Sequence, residues 1–350
     1  MTFDEFTEQH RRPLQDRLLE LAQTAVLGLP QRHVTPTSDA AHTGLGVSEL
    51  QVMLIGQLAS GGKRLRALLP PAIVAAAGGP VRAAVELGAC VELVHNGTLV
   101  HDDVQDNDRL RRGQPTLWAV HGMPQAINAG DALLLAPIAL LLRTPEMADG
   151  HRIAIAGLLA EALVETVRGQ VADIALRDDP AITVEQLTEV HLAKTGPLFG
   201  VCLEGAAILL GGGAHQRAAA QSTARALGVA FQVRDDLLDI VGTKGRGDAG
   251  ADLREGKVTA PVLLAMTHAP VAECAELRAM LRQAVASAGV DDATVAHWVR
   301  WTVAHGGADR ARVWLQELLE QARVHSVTAF GEPAAAVVAA LCDRLAKLDG

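Results

Sequence analysis

At 350 residues the chain can bury a large core, and length alone allows one to three domains. It is 49% apolar, largely Ala, Leu and Val, with 3% aromatic residues and no Tyr, a balance that favours helix over sheet. The formal charge of −9 excludes a general nucleic-acid binder; a phosphate ligand stays open, because cations bridge acid to acid.

Taken in chain order, an amphipathic helix is predicted over residues 3–27. The stretch 28–46, rich in Pro, Thr, Ser, His and Gly, reads as a long loop. From there helical segments follow one another, broken at Gly61-Gly62, Gly78-Gly79-Pro80, Gly113 to Pro115, Gly122 to Pro124 and Gly211 to Gly213. No alternating strand run and no repeat period stands out. A polar break separates Thr243 from Asp252, and helices resume after Pro261. No composition shift marks a boundary, so residues 1–350 read as one all-α domain. Cys90, Cys202, Cys274 and Cys342 lack metal or disulfide spacing and read as small buried hydrophobes in a reducing compartment. The acidic N-terminus has no apolar signal-peptide region. The longest apolar runs, such as Ala132 to Leu142 with Pro137 inside it, fall short of a membrane span. A cytoplasmic protein without a transmembrane segment is expected.

Two clusters of one shape carry the chemistry: Asp102-Asp103-Val-Gln-Asp106 and Asp235-Asp236-Leu-Leu-Asp239. On a helix, Asp102 stacks on Asp106 and Asp235 on Asp239, with Asp103 and Asp236 one step round. Like charges so close repel, and Asp is a poor helix former. A divalent cation holding a phosphate-rich ligand would offset that cost, since Mg²⁺ binds through one or two carboxylates, waters and substrate phosphates. One such cluster alone reads equally well as a solvated acidic face; two, each begun inside an apolar run, favour the metal.

Basic residues flank both. Gly61-Gly62-Lys63-Arg64-Leu65-Arg66 is predicted to open a helix, with Lys63 and Arg66 three apart and able to reach one anion. His95 lies two turns below Asp102, and Arg111-Arg112-Gly113 follows the acids. A basic surface patch is the alternative reading. Near the second cluster stand Gln232, Lys194-Thr195-Gly196 and Gly256-Lys257-Val-Thr259, each lysine beside a helix break. The string Gly245 to Gly250 satisfies GxGxxG but follows a helix rather than a strand, and is rejected as a dinucleotide site. No His, Cys or Asp pair has zinc spacing.

With these strings the chain resembles the trans-isoprenyl diphosphate synthases, or polyprenyl synthetases. The resemblance rests on 61–66, Glu92 through His95 to Asp106, Leu-Arg-Arg-Gly-Gln-Pro-Thr (110–116), Gly-Gln-Val-Ala-Asp (169–173), Lys194-Thr195-Gly196, Phe231 to Asp239 and Asp252 to Pro261. They occur in the family's order over some 200 residues, from 61 to 261. Ala67, where the family often has Pro, and the added carboxylate of Asp108 are the departures.

The resemblance implies an isoprenoid-synthase helix bundle around a deep apolar cavity, with the aspartates facing across its mouth. Asp102, Asp103, Asp106, Asp235, Asp236 and Asp239 would hold Mg²⁺, three ions in the substrate complex, that bridge to an allylic diphosphate. Arg111, Lys194, Thr195, Gln232 and Lys257 would contact that diphosphate, with Lys194 also counted as catalytic. Lys63, Arg66, His95 and Arg112 would hold isopentenyl diphosphate. The family also implies a homodimer. A terpene cyclase would leave the second diphosphate site idle, and a non-catalytic subunit would be expected to lose an acidic motif. Upstream of the first cluster, Gly97 and Thr98 are small, so nothing there blocks a growing tail one turn below the metals. His-Asn-Gly-Thr-Leu resembles synthases of the twenty-carbon geranylgeranyl product; a longer polyprenyl chain is the alternative. The alternative at Gly97 is that it only lets two helices pack closely.

Overall fold

The Ala- and Leu-rich segments form helices in a computed structural model that describes residues 3–27, 47–177, 182–241, 249–287 and 290–348. The loop expected at 28–46, and most of the 243–252 break with its glycine string, lie outside the described residues. The helices are α1 (Phe3–Leu27), α2 (Val47–Ala59), α3 (Leu65–Ala76), α4 (Val81–Gln105), α5 (Leu117–His121), α6 (Met123–Leu141), α7 (Asp149–Arg177) and α8 (Val184–Leu209). They continue with α9 (Ala214–Val241), α10 (Ala251–Arg254), α11 (Ala260–Met266), α12 (Val271–Ser287), α13 (Asp292–Ala304), α14 (Gly307–Phe330) and α15 (Glu332–Ala346). A small hairpin pairs β1 (Leu110–Arg111) with β2 (Gln114–Pro115). Two-residue strands are too short to show alternation, so the sequence pattern offered no sign of them.

The chain divides into two compact units, Met1–Ala160 with Glu204–Gly212, and Glu161–Leu203 with Gly213–Gly350. The boundaries fall inside α7 and α8, so no linker composition announces them. In the first unit, α4 is buried on most of its circumference, from Ala83 to Val100. It packs against α3 and α6. Contact with α3 is backbone to backbone: a side chain at Gly88 would overlap the carbonyl of Ala67. In the second unit, α14 lies along α9. A Cβ at Gly228 of α9 would sit 2.6 Å from Gly196 Cα of α8, so small residues set that crossing too. The four cysteines are buried and form no disulfide.

Two helices are long and apolar enough to cross a membrane by length and composition, α6 and α8. Of the α8 window 78% is buried inside the protein, the mark of a core helix.

Candidate active site

In the first unit the acids sit at the end of α4. Asp102 lies in its last turn, and Asp106 is the C-cap, its N–H donating to the Asp102 carbonyl at 2.8 Å. Both carboxylates are partly exposed. A helix C-terminus carries partial negative charge, and α4 has no basic residue in its last turn; each added carboxylate there costs about 0.3–1 kcal/mol. Asp235, Asp236 and Asp239 occupy the last two turns of α9, which also ends without a basic residue. Such ends favour a cation. Among the described residues no three His, Cys, Asp or Glu side chains converge as a preformed metal cage. Carboxylate oxygens suit a hard cation such as Mg²⁺, which completes its shell with water and ligand phosphate.

The six aspartates are not equivalent. Asp103 is buried, and the Arg111 guanidinium donates to it at 2.5 Å. Burial raises its pKa from 3.8 to about 6, with Arg111 opposing. Asp236 is buried and accepts the N–H of Ala260, the first residue of α11, at 2.9 Å. Asp239, also buried, accepts the N–H of Asp252 at 3.3 Å. Asp102, Asp106 and Asp235 are the more open members.

The basic set of the first unit gathers around His95. Arg66 Nη1 lies 3.4 Å from His95 Nε2. Burial, then Arg66, Arg112, Arg64 and Arg111, hold the imidazole well below its usual pKa of 6.5, so the ring is neutral at neutral pH and its nitrogen can accept from a guanidinium. Arg112 donates to the Gly61 carbonyl. A Cβ at Gly62 would sit 2.9 Å from Arg112 Nη1, so the second glycine makes room for that guanidinium. Lys63 is exposed and precedes the helix, because α3 begins at Leu65 and Arg64 is its N-cap. This corrects the reading of Lys63 and Arg66 as neighbours on one helical turn. Arg64 itself is buried in the left-handed region (φ 51°), paired with Glu92 at 2.7 Å. Arg64, Asn107 and Arg112 are the positive-φ non-glycine residues among those described. All three flank this site, where such strain tends to gather.

In the second unit, Lys194 Nζ donates to Asp173 at 2.8 Å. A side chain at Gly169 would overlap the backbone of Ala193 and Lys194; that close crossing of α7 and α8 puts Asp173, one turn on, within reach of the lysine. Thr195 Oγ1 donates to Gln232 Oε1 at 3.4 Å, and Lys257 pairs with Glu255 at 2.6 Å. The sequence reading gave no role to Asp173, Glu255 or His191. His191 is buried 3.8 Å from Asp236, and burial lowers its pKa to about 4. Asp173 lay within the 169–173 string; nothing in the sequence singled out His191.

Gly97 does not face open space. A Cβ there would lie 3.0 Å from Leu133 Cβ and from Leu134 of α6. That contact is the one the close-packing reading of Gly97 describes. Thr98 donates to the His95 carbonyl at 2.8 Å.

Comparison with known proteins gives a consistent picture. The family model described as polyprenyl synthetase matches residues 48–297. A geranylgeranyl diphosphate synthase of Mycobacterium tuberculosis is 38% identical over 235 residues, 67% of this chain and 66% of its own. A farnesyl diphosphate synthase of Geobacillus stearothermophilus is 33% identical over 260 residues, 72% of this chain and 87% of its own. The crystal structure of a decaprenyl diphosphate synthase from Rhodobacter capsulatus superposes with a TM-score of 0.80 at 26% identity, covering 98% of both chains. The chain spans just under two thirds, 64 to 66%, of the length of three curated relatives that it matches.

Proposed function

Because this chain belongs to the polyprenyl synthetase family, we propose that it is a trans-prenyltransferase that condenses isopentenyl diphosphate with an allylic diphosphate. The observation that carries this reading is the division of charge. Carboxylates crowd two helix C-termini that have no basic residue in their last turns, while guanidiniums gather around the neutral imidazole of His95. A leaving diphosphate needs cations, and a diphosphate that is only anchored needs bases. Both units are taken to serve this one activity as a single domain.

In this reading Asp102, Asp106 and Asp235 hold Mg²⁺, three ions in the substrate complex, with Asp103, Asp236 and Asp239 bracing their surroundings. The metal supplies Lewis-acid stabilisation of the charge that develops as the allylic C–O bond breaks. Lys194, Thr195, Gln232, Lys257 and Arg111 orient the allylic diphosphate; Lys63, Arg66, Arg112 and His95 anchor isopentenyl diphosphate, whose double bond attacks the allylic carbon. The proton lost after condensation passes to the released diphosphate, so no side-chain nucleophile is required.

The preferred product is geranylgeranyl diphosphate, supported by the string around Gly97 and by similarity to the mycobacterial synthase. A longer chain is the second reading, favoured by the small residues Gly97 and Thr98 and by likeness to the decaprenyl synthase. Incubation with isopentenyl diphosphate, Mg²⁺ and each allylic starter, followed by mass analysis of the products, tests both. Absence of any elongated product would overturn the function, and a product beyond twenty carbons the preferred length.

We also propose a homodimer in the cytoplasm. On α7, Val164, Val167, Val171 and Ile174 are 63, 57, 63 and 40% exposed. Their alternating spacings of three and four residues make an apolar seam that suits another helix, and a second copy of α7 is its occupant.

A further inference from the structure

The hairpin that carries Arg111 and Arg112 is too small to hold its own shape. Its strands have two residues each, with Leu110 opposite Pro115 and Arg111 opposite Gln114, and isolated hairpins are marginal at best. Its turn places Arg112 (φ 54°) and Gly113 (φ 74°) both in the left-handed region. That matches the tight turn favoured by twisted hairpins, but an arginine there is disfavoured.

Four contacts at the base of the hairpin compensate, and all converge on Asp108 and Arg109. Asp108 N–H donates to the Asp103 carbonyl at 2.9 Å, tying the segment to the end of α4. The Asp108 carbonyl accepts two hydrogen bonds, from Thr116 Oγ1 and from the Trp118 indole N–H, each at 2.8 Å. The Arg109 guanidinium lies over the Trp118 ring, 5.1 Å from its centroid. Thr116 is the N-cap of α5, yet its side chain makes no cap hydrogen bond; the hydroxyl serves Asp108 instead. Trp118 is itself only partly buried, so its indole acts here as a donor and a platform more than as core filling.

We propose that Trp118 is a positioning residue. With Thr116 it fixes the base of the hairpin, so that Arg112 stands over Gly61-Gly62 before ligand arrives, and it thereby sets affinity for the anchored diphosphate. This rests on the reading of Arg112 as part of the isopentenyl diphosphate site. Arg111 has its own anchor, the 2.5 Å contact with Asp103, so the allylic side is buffered from the loss of Trp118.

The test compares Trp118→Phe, which keeps the ring and loses the donor, with Arg109→Met, which keeps the aliphatic stem and loses the cation. Trp118→His offers a ring N–H as partial rescue. Trp118→Phe should raise the KM for isopentenyl diphosphate by about three- to tenfold, the worth of one hydrogen bond. The kcat at saturation and the KM for the allylic diphosphate should stay within about twofold. Arg109→Met should move the same constant by a smaller factor, as befits one partly exposed cation–π contact, and Trp118→His should recover part of the loss. Hydrogen exchange at the Asp108 and Thr116 amides should quicken in Trp118→Phe. An unchanged KM with unchanged exchange, or a proportional fall in every constant together with the melting temperature, would overturn the proposal. Should Trp118→Phe not fold, Arg109→Met decides by the same criteria. Calorimetry with inorganic pyrophosphate separates this inference from the function: a wild type that makes no product sinks the function, whereas the pyrophosphate affinities of wild type and variant still judge the hairpin.

Discussion

At the scale of single residues, the two acidic clusters contain side chains of different duty, and substitution should separate them. Asp235→Ala removes an open carboxylate and should cost at least ~10²–10³ in turnover, as loss of a preorganised charge-stabilising group does. Its melting temperature should hold or rise, since Ala is the better helix former. Asp236→Ala strips the acceptor from the first N–H of α11 and should destabilise by about 0.5–2 kcal/mol, as loss of a helix cap does. Steady-state rates beside thermal melts distinguish the two; equal melting losses would refute the division. His191 gives a pH signature. Its folded pKa of about 4 lies below the ordinary value of 6.5, first because of burial. Above pH 6.5 the ring is neutral folded or unfolded, and its stability contribution is whole. As pH falls from 6.5 toward 4 the unfolded chain takes up a proton that the folded state refuses, so up to about 3 kcal/mol is lost. His191→Phe should flatten the melting temperature over that window relative to wild type; parallel curves would remove His191 as the cause.

At the scale of elements, glycine decides how closely helices approach. Gly97 meets Leu133 and Leu134 at 3.0 Å, whereas Gly56 on α2 has nothing within 4 Å of its missing side chain. Gly97→Ala should therefore destabilise by about 1–3 kcal/mol through overpacking. Gly56→Ala should stabilise by about 0.5–1 kcal/mol through helix propensity. Chemical denaturation of the two variants checks the pair, and a harmless Gly97→Ala would mean that α6 yields easily. Arg64 and Glu92, 28 positions apart in the chain, show why the sequence is mute about such elements. The string Gly-Gly-Lys-Arg-Leu-Arg marks a basic site, but only packing of α3 on α4 turns Arg64 inward and leaves Arg66 beside His95.

At the scale of the whole molecule, the seam on α7 carries the prediction of assembly. Val167→Glu with Val171→Glu puts two charges into it and should convert a dimer to a monomer in sedimentation velocity, with helix content by circular dichroism unchanged. A wild-type monomer, or a doubly substituted dimer, would show that another surface or none is used.

The sequence by itself determined the helical class, the extent of α1 and most of the breaks, because apolar periodicity and glycine act locally. It also marked the residue types of the site, since two DDxxD clusters and the basic strings are contiguous. Tertiary structure alone decided what the buried carboxylates meet: Asp103 turns to Arg111, Asp236 to the start of α11, and Asp239 to Asp252. It alone showed that Gly97 meets α6, that Lys63 precedes its helix, and that Trp118 braces a hairpin too short to be read in advance. The physical reason is one of range. Helix propensity is written in neighbours three and four positions away, whereas desolvation and hydrogen-bond geometry depend on groups that only the folded chain brings together.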